Sequence, residues 1–176
     1  MKERDILKIY NNYCIIGMSP DPSKYSYQIY QCLKNAGKHV YGISPKYDTI
    51  DNDKMYTSLM DIEYPVDVVV FVVKKAIGMT YIRDMRELGI KYAWMQPGTY
   101  DEDLLHAFHD QGIETIENCV LQGMLPALEK LLVISNVLFP VLAPARHASI
   151  PAWPAPTTII SYTINDLPFL FNTCLY

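Results

Sequence analysis

The stretch 67–73, DVVVFVV, constrains this chain more than any other. A continuous β-branched run has no polar face to turn to water, so it suits a strand covered on both sides, as in a parallel sheet. Its surroundings repeat one pattern. Residues 13–17 (YCIIG) and 39–44 (HVYGIS) read as strands before it, and 91–96 (KYAWMQ) and 113–120 (IETIENCV) as strands after it. Between them lie stretches of helical spacing. Residues 23–36 carry Ile29, Leu33 and Ala36 on one side and stop at Gly37. Residues 76–88 place Tyr81, Ile82, Met85 and Leu88 together before Gly89, and Asp101 caps a helix whose inner face is Leu104, Leu105 and Phe108, closed by Gly112. The segment 46–54 reads as a polar loop and 56–62 (YTSLMDI) as a short helical turn.

Strands alternating with helices at this spacing predict βαβ units and a doubly wound, five-stranded parallel sheet of the α/β class, Rossmann-like in outline. Right-handed crossovers then put any ligand crevice at the carboxyl ends of the strands. This domain is expected over 1–122. Residues 123–176 form an irregular, apolar, proline-rich extension. From residue 131 onward the only charged side chains are Arg146 and Asp166, and seven of the twelve prolines fall at or after Pro126. The apolar run 131–145 is broken by Pro140 and Pro144 and is shorter than the roughly 20 residues of a membrane helix. It reads as a helix packed on the domain or on a partner, the remainder as an extended arm or a poorly ordered stretch.

The 176 residues carry a net charge of −4 with both signs interspersed, which lacks the basic footprint of a nucleic-acid binder. No secretory leader is visible in the charged start MKERDILKIYNNY, and the four cysteines include no CxxC pair. The expected setting is therefore a reducing cytoplasm with free thiols.

The first strand runs into Gly17-Met18-Ser19-Pro20-Asp21-Pro22-Ser23-Lys24-Tyr25-Ser26. In a Rossmann-type sheet this turn holds a pyrophosphate on backbone N–H groups and a helix N-terminus. Gly17 permits the tight turn, Ser19, Ser23 and Ser26 bring hydroxyls, and Lys24 brings a charge. A rigid strand-to-helix turn with a serine cap explains the same residues without a ligand. The dinucleotide fingerprint GxGxxG is absent beyond its first glycine. Where an NAD site wants an acidic residue, after the second strand, this chain has Ser44-Pro45-Lys46. A lysine there suits a phosphorylated ribose, as in coenzyme A or NADP; otherwise Lys46 is one more solvated loop lysine. Lys74-Lys75 and Gln96-Pro97-Gly98 reach the same rim after the third and fourth strands.

Taken in order, GMSPDPSKYS, ISPK, YTSLMDIEYPVDVVVF, KYAWMQPGTY and IENCV resemble the small stand-alone CoA-binding proteins. These share a fold with the CoA-binding domains of succinyl-CoA synthetase and of ADP-forming acyl-CoA synthetases. The resemblance covers about residues 10–120. It implies coenzyme A or an acyl-CoA lying across the strand ends. Phosphate contacts would come from Gly17, Ser19, Pro20, Lys24 and Ser26, the adenosine end would meet Pro45 and Lys46, and further contacts would map to Lys74, Gln96 and Gly98. Lys24 stands where an arginine is common, making a bidentate contact a point charge. Ser44 stands where an asparagine is common.

Other chemistry finds less support. His106 and His109 share a helix face but lack the further ligands of a metal site. Cys119 could form a mixed disulfide beside bound CoA, though strand cysteines are mostly buried and inert. Tyr92 and Tyr100 have no evident base beside them, and no nucleophile elbow or Walker loop is present. The leading expectation is a CoA-binding carrier, sensor or accessory module without clear catalytic machinery. A small NADP-linked oxidoreductase using the same crevice, and an interaction or self-associating protein docking through its C-terminal extension, remain the alternatives.

Overall fold

The structure, a computed structural model, describes residues 3–124. The chain opens with α1 (Glu3–Ile9), then β1 (Asn12–Ile16), α2 (Tyr25–Asn35) and β2 (His39–Ile43). A hairpin, β3 (Thr49–Ile50) and β4 (Asp53–Tyr56), precedes a 3-10 turn at Leu59–Asp61. Then come β5 (Val68–Phe71), α3 (Lys75–Gly78), α4 (Ile82–Glu87), β6 (Tyr92–Met95), α5 (Glu102–Asp110) and β7 (Glu114–Glu117). A further helix begins at Val120. The extension, from residue 125 on, lies outside the described residues.

The sheet has the order β3-β4-β2-β1-β5-β6-β7, and every pairing is parallel except that of β3 with β4. All five expected strands are present and adjacent. The two additional strands begin in the segment read as a polar loop, and β4 runs on to Tyr56, so the turn expected over 56–62 is confined to the 3-10 turn Leu59–Asp61. Its Ile50-Asp51-Asn52-Asp53 makes a tight hairpin, with Asp51 at φ 51° and Asn52 at φ 66°. Asp and Asn tolerate that left-handed backbone better than other side-chain-bearing residues do, and two such residues in succession match the turn that suits twisted strands. Strands of two and four residues are too short to show alternation, which is why the pattern concealed them.

β5 and β6 are buried at every position and β1 at all but its first, and successive side chains alternate between two cores. Tyr13 and Ile15, Val68 and Val70, and Tyr92 and Trp94 face one core with Ile29, Tyr30 and Leu33 of α2. Cys14 and Ile16, Val69 and Phe71, and Ala93 and Met95 face the other, with Met85 and Phe108. This is the two-sided burial that the valine run demands. Phe71 and Phe108 meet edge to face at 5.4 Å. The buried indole of Trp94 donates to the Asn118 carbonyl at 2.7 Å, so its one polar atom is satisfied. Among the described residues no helix is long and apolar enough to cross a membrane.

The helices follow the spacing with one break. Asp101 caps α5, its carboxylate accepting from the Leu104 amide at 3.1 Å. Gly37, at φ 75°, closes α2 in the left-handed conformation that a side chain disfavours. The stretch 76–88 forms α3, a 3-10 turn (Met79–Tyr81) and α4 instead of one helix. The N-terminal α1 carries no long apolar period; it is held by burying Ile6 and Leu7.

Candidate functional site

The chain leaves β1 toward β2 on one side and later returns to β5 on the other. That reversal opens a crevice at the carboxyl ends of β1 and β5, the switch point where open α/β sheets bind ligands. Gly17 sits at its centre. The Gly17 and Met18 amides both donate to the Ile43 carbonyl at the end of β2, at 3.1 and 3.0 Å. A Cβ on Gly17 would stand 2.6 Å from Val73 Cγ1 and 3.1 Å from the Val72 carbonyl oxygen. Its φ is +94°. Three loops therefore converge on one residue, and only a glycine lets them come so close.

The loop after Gly17 is shaped by Asp21. Its carboxylate accepts from the Ser23 amide at 2.9 Å and the Ser23 hydroxyl at 2.7 Å. Those bonds, the hydroxyl's first, hold Asp21 below the ordinary aspartate range, helped by the field of Lys24. The helix is thus started by an Asx-type turn with Ser23 as donor, and Lys24 occupies the N-cap position of α2 without a side-chain cap. Ser19 and Pro20 lie on this loop, half-buried and exposed respectively. Ser26 is only 2% exposed, in the first turn of α2.

Ser44 is buried where β2 ends, and its hydroxyl accepts from the Lys46 amide at 3.4 Å. Pro45 and Lys46 stand exposed beyond it. Lys74 is exposed as the N-cap of α3. Neither Lys46 nor Lys74 has an ion-pair partner among the described residues, and Lys24 forms no salt bridge there. Lys75, by contrast, is engaged by Asp101, which raises its pKa. Three cationic groups therefore edge the crevice, offset in part by Asp21.

At the next strand, the Gln96 amide donates to the Phe71 carbonyl at 3.3 Å, tying the end of β6 to β5. The Gln96 side chain is buried, and its amide nitrogen donates to the Asn118 carbonyl at 3.3 Å. That leaves its own carboxamide oxygen as the acceptor it could offer. Gly98, at φ +82°, is exposed in the turn that follows. The Thr99 hydroxyl donates back to the Gln96 carbonyl at 2.7 Å.

Sequence reasoning missed the parts played by Ser44, Thr99 and Asn118. Each acts on backbone or on a neighbouring side chain at the end of a strand, and no residue pattern announces such local bonds. Asn118 lies in the IENCV segment, directly after β7 ends at Glu117.

Cys119 is buried just after β7, and Cys14 lies in the core, where burial pushes its thiol far up from its ordinary range. His109 approaches the Thr115 hydroxyl at 3.1 Å on the exposed side of α5, and His106 is exposed one turn earlier. An open groove of about 490 Å³ runs between α4 and α5, lined in part by Met79, Ile82, Arg83 and Arg86. Arg83 is engaged by Glu87 and Arg86 by Gln111. Lys24, Lys46 and Lys74 form no such ion pair among the described residues.

Known proteins are similar to this chain in sequence and in fold. A stretch of 79 residues is 35% identical to an ADP-forming acetate–CoA ligase of Methanocaldococcus jannaschii, covering 45% of this chain and 11% of that protein. The chain thus matches about a tenth of the ligase's length. A hypothetical protein from Pyrococcus horikoshii OT3 superposes with a TM-score of 0.68 and 28% identity, over 72% of this chain and 89% of the other. A dinucleotide-forming acetyl-coenzyme A synthetase of Ca. Korarchaeum cryptofilum, solved with phosphate and ADP, superposes with a TM-score of 0.55 and 27% identity over 64% of this chain and 27% of that one. The CoA binding domain family model matches residues 11–123, from the start of β1 to the helix after β7. With its whole sheet and all of the lysine-edged rim inside that match, this chain belongs to the CoA-binding domain family.

Proposed function

We propose that the chain binds coenzyme A or an acyl-CoA along the carboxyl rim, as a carrier, sensor or accessory module. The observation that carries this reading is the set of Lys24, Lys46 and Lys74, none in a salt bridge among the described residues, around a crevice centred on Gly17. Coenzyme A fits the residues present. It carries a pyrophosphate and a ribose phosphate, and the rim offers separated cations and a glycine turn that a Cβ would fill. Lys24 and the Gly17–Pro20 turn would meet the pyrophosphate, and Pro45 with Lys46 the phosphorylated ribose. Lys74, Gln96 and Gly98 would border the pantetheine side. Ser26, being buried, would act by fixing the first turn of α2.

The test is calorimetric titration with CoA, acetyl-CoA, NADP and NAD. CoA or its thioester should bind, and the dinucleotides should not. Lys46→Ala should weaken CoA by about tenfold, the scale of one lost charge-assisted contact, and leave dephospho-CoA nearly unchanged. Binding of NADP alone would overturn the reading. Equal losses for both CoA forms would remove Lys46 from the phosphate role.

A further inference from the structure

A polar cluster between α2 and the β3–β4 hairpin takes no part in the contacts proposed above. The Tyr27 hydroxyl donates to Asp51 Oδ2 at 2.8 Å, and Gln31 Nε2 donates to the same oxygen at 2.6 Å. One turn along the helix, Lys34 Nζ donates to Asp53 Oδ2 at 2.6 Å and to the Tyr30 hydroxyl at 3.1 Å. The Tyr30 hydroxyl itself donates to Asp53. Two adjacent turns of α2 thus grip one aspartate in the hairpin turn and one at the start of β4, with Ile50 buried beside them.

The hairpin belongs to one excursion of chain. It leaves β2 at Ile43, carries Pro45 and Lys46, turns at Asp51 and Asn52, and returns as β4 beside β2. Its ends are pinned by backbone: the Ser44 amide donates to the Tyr56 carbonyl at 3.0 Å, and the Met55 amide to the Asp48 carbonyl at 2.8 Å. Pro45, Lys46 and Tyr47 lie exposed on its outer part. The same helix that holds the turn has Lys24 as its N-cap. Both lysines therefore depend on α2, one directly and one through the two aspartates.

We propose that Tyr27, Tyr30, Gln31 and Lys34 of α2, with Asp51 and Asp53 of the hairpin, form a latch that positions Lys46, so that preference for a phosphorylated ribose is set by a contact that never touches the ligand. These are positioning residues, and the inference rests on the reading of the rim as a CoA site. Lys34 and Asp53 are each 39% exposed, so this ion pair adds little to global stability, and loosening it leaves the sheet intact.

Two double variants break the latch from opposite sides. Gln31→Ala with Lys34→Ala removes donors from α2, and alanine keeps the helix. Asp51→Asn with Asp53→Asn removes the charges from the hairpin, and asparagine tolerates the positive φ of residue 51. The first pair lowers the net charge and the second raises it, so a loss common to both is not a change in the protein's overall field. In each, amide hydrogen exchange of residues 46–52 should quicken by about tenfold in the free protein while β1, β5 and β6 stay unchanged. CoA should bind about fivefold more weakly and dephospho-CoA as before, and adding Lys46→Ala should bring little further loss. Unchanged exchange, or equal weakening of both ligands, would overturn the latch while leaving CoA binding in place. If the unsubstituted protein binds neither nucleotide, the rim reading has failed and the specificity claim falls with it.

Discussion

Gly17→Ala puts the packing at the switch point to a quantitative test. Two separate penalties are expected. A side chain at φ +94° costs about 1–2 kcal/mol relative to glycine, because its Cβ crowds the backbone. The new methyl would also stand 2.6 Å from Val73 Cγ1, well inside the roughly 3.5–4.0 Å of a normal carbon contact. Overpacking of that kind costs about 1–3 kcal/mol. Val73 cannot withdraw freely, because the neighbouring Val72 amide is bonded to the Ile16 carbonyl at 3.1 Å. The sum, about 2–5 kcal/mol, is a large share of the roughly 5–15 kcal/mol that holds a domain together. Urea unfolding followed by circular dichroism measures it. Val73→Ala separates the two parts, since it deletes Cγ1 and leaves the φ penalty. In a double-mutant cycle the pair should lose about 1–3 kcal/mol less than the sum of the single losses. A Gly17→Ala protein within about 0.5 kcal/mol of the parent, or strictly additive losses, would refute the argument that this residue is glycine because three loops meet there.

Phe108→Ala should destabilise by about 3–5 kcal/mol in the same assay, because the ring is fully buried against Phe71 and alanine leaves a cavity. Asp101→Ala should lower the melting temperature and speed exchange of the Leu104 amide, whereas Asp101→Asn, which keeps the cap and loses the carboxylate that pairs with Lys75, should fall between. The alkaline limb is set in part by Tyr30, whose pKa is pushed up to about 12 by burial and by its bond to Asp53, despite Lys34. A group that holds its proton more tightly when folded contributes stability that is complete below the unfolded value near pH 10 and is lost as pH rises to about 12. Tyr30→Phe should flatten that loss in urea midpoints taken from pH 9 to 12.

Much of the fold was legible because two-sided burial leaves a strong mark. DVVVFVV could only be an inner strand, and the runs around Ile15 and Trp94 fell beside it once the helical stretches forced parallel crossovers. The β3–β4 hairpin was not legible, since its six residues hold too few apolar positions to show a period and its turn rests on two left-handed residues. The break between α3 and α4 was hidden for a related reason: Tyr81, Ile82 and Met85 keep helical spacing whether or not the backbone tightens to a 3-10 turn. At the rim, the positions of Lys24, Lys46 and Lys74 followed from their places after strands, but whether each was already paired did not.

The sequence by itself determined the class of fold and the order of its strands, because hydrophobic period and strand-to-helix order are local properties of the chain. Tertiary structure alone decided which groups are available at the carboxyl rim. Among the described residues it left Lys46 and Lys74 without an ion-pair partner and gave Lys75 to Asp101. It buried Ser26 and turned the Gln96 amide toward Asn118. It also joined α2 to a hairpin about twenty residues away through Asp51 and Asp53. Those outcomes depend on distances between residues far apart in the chain, and only the packed backbone sets such distances.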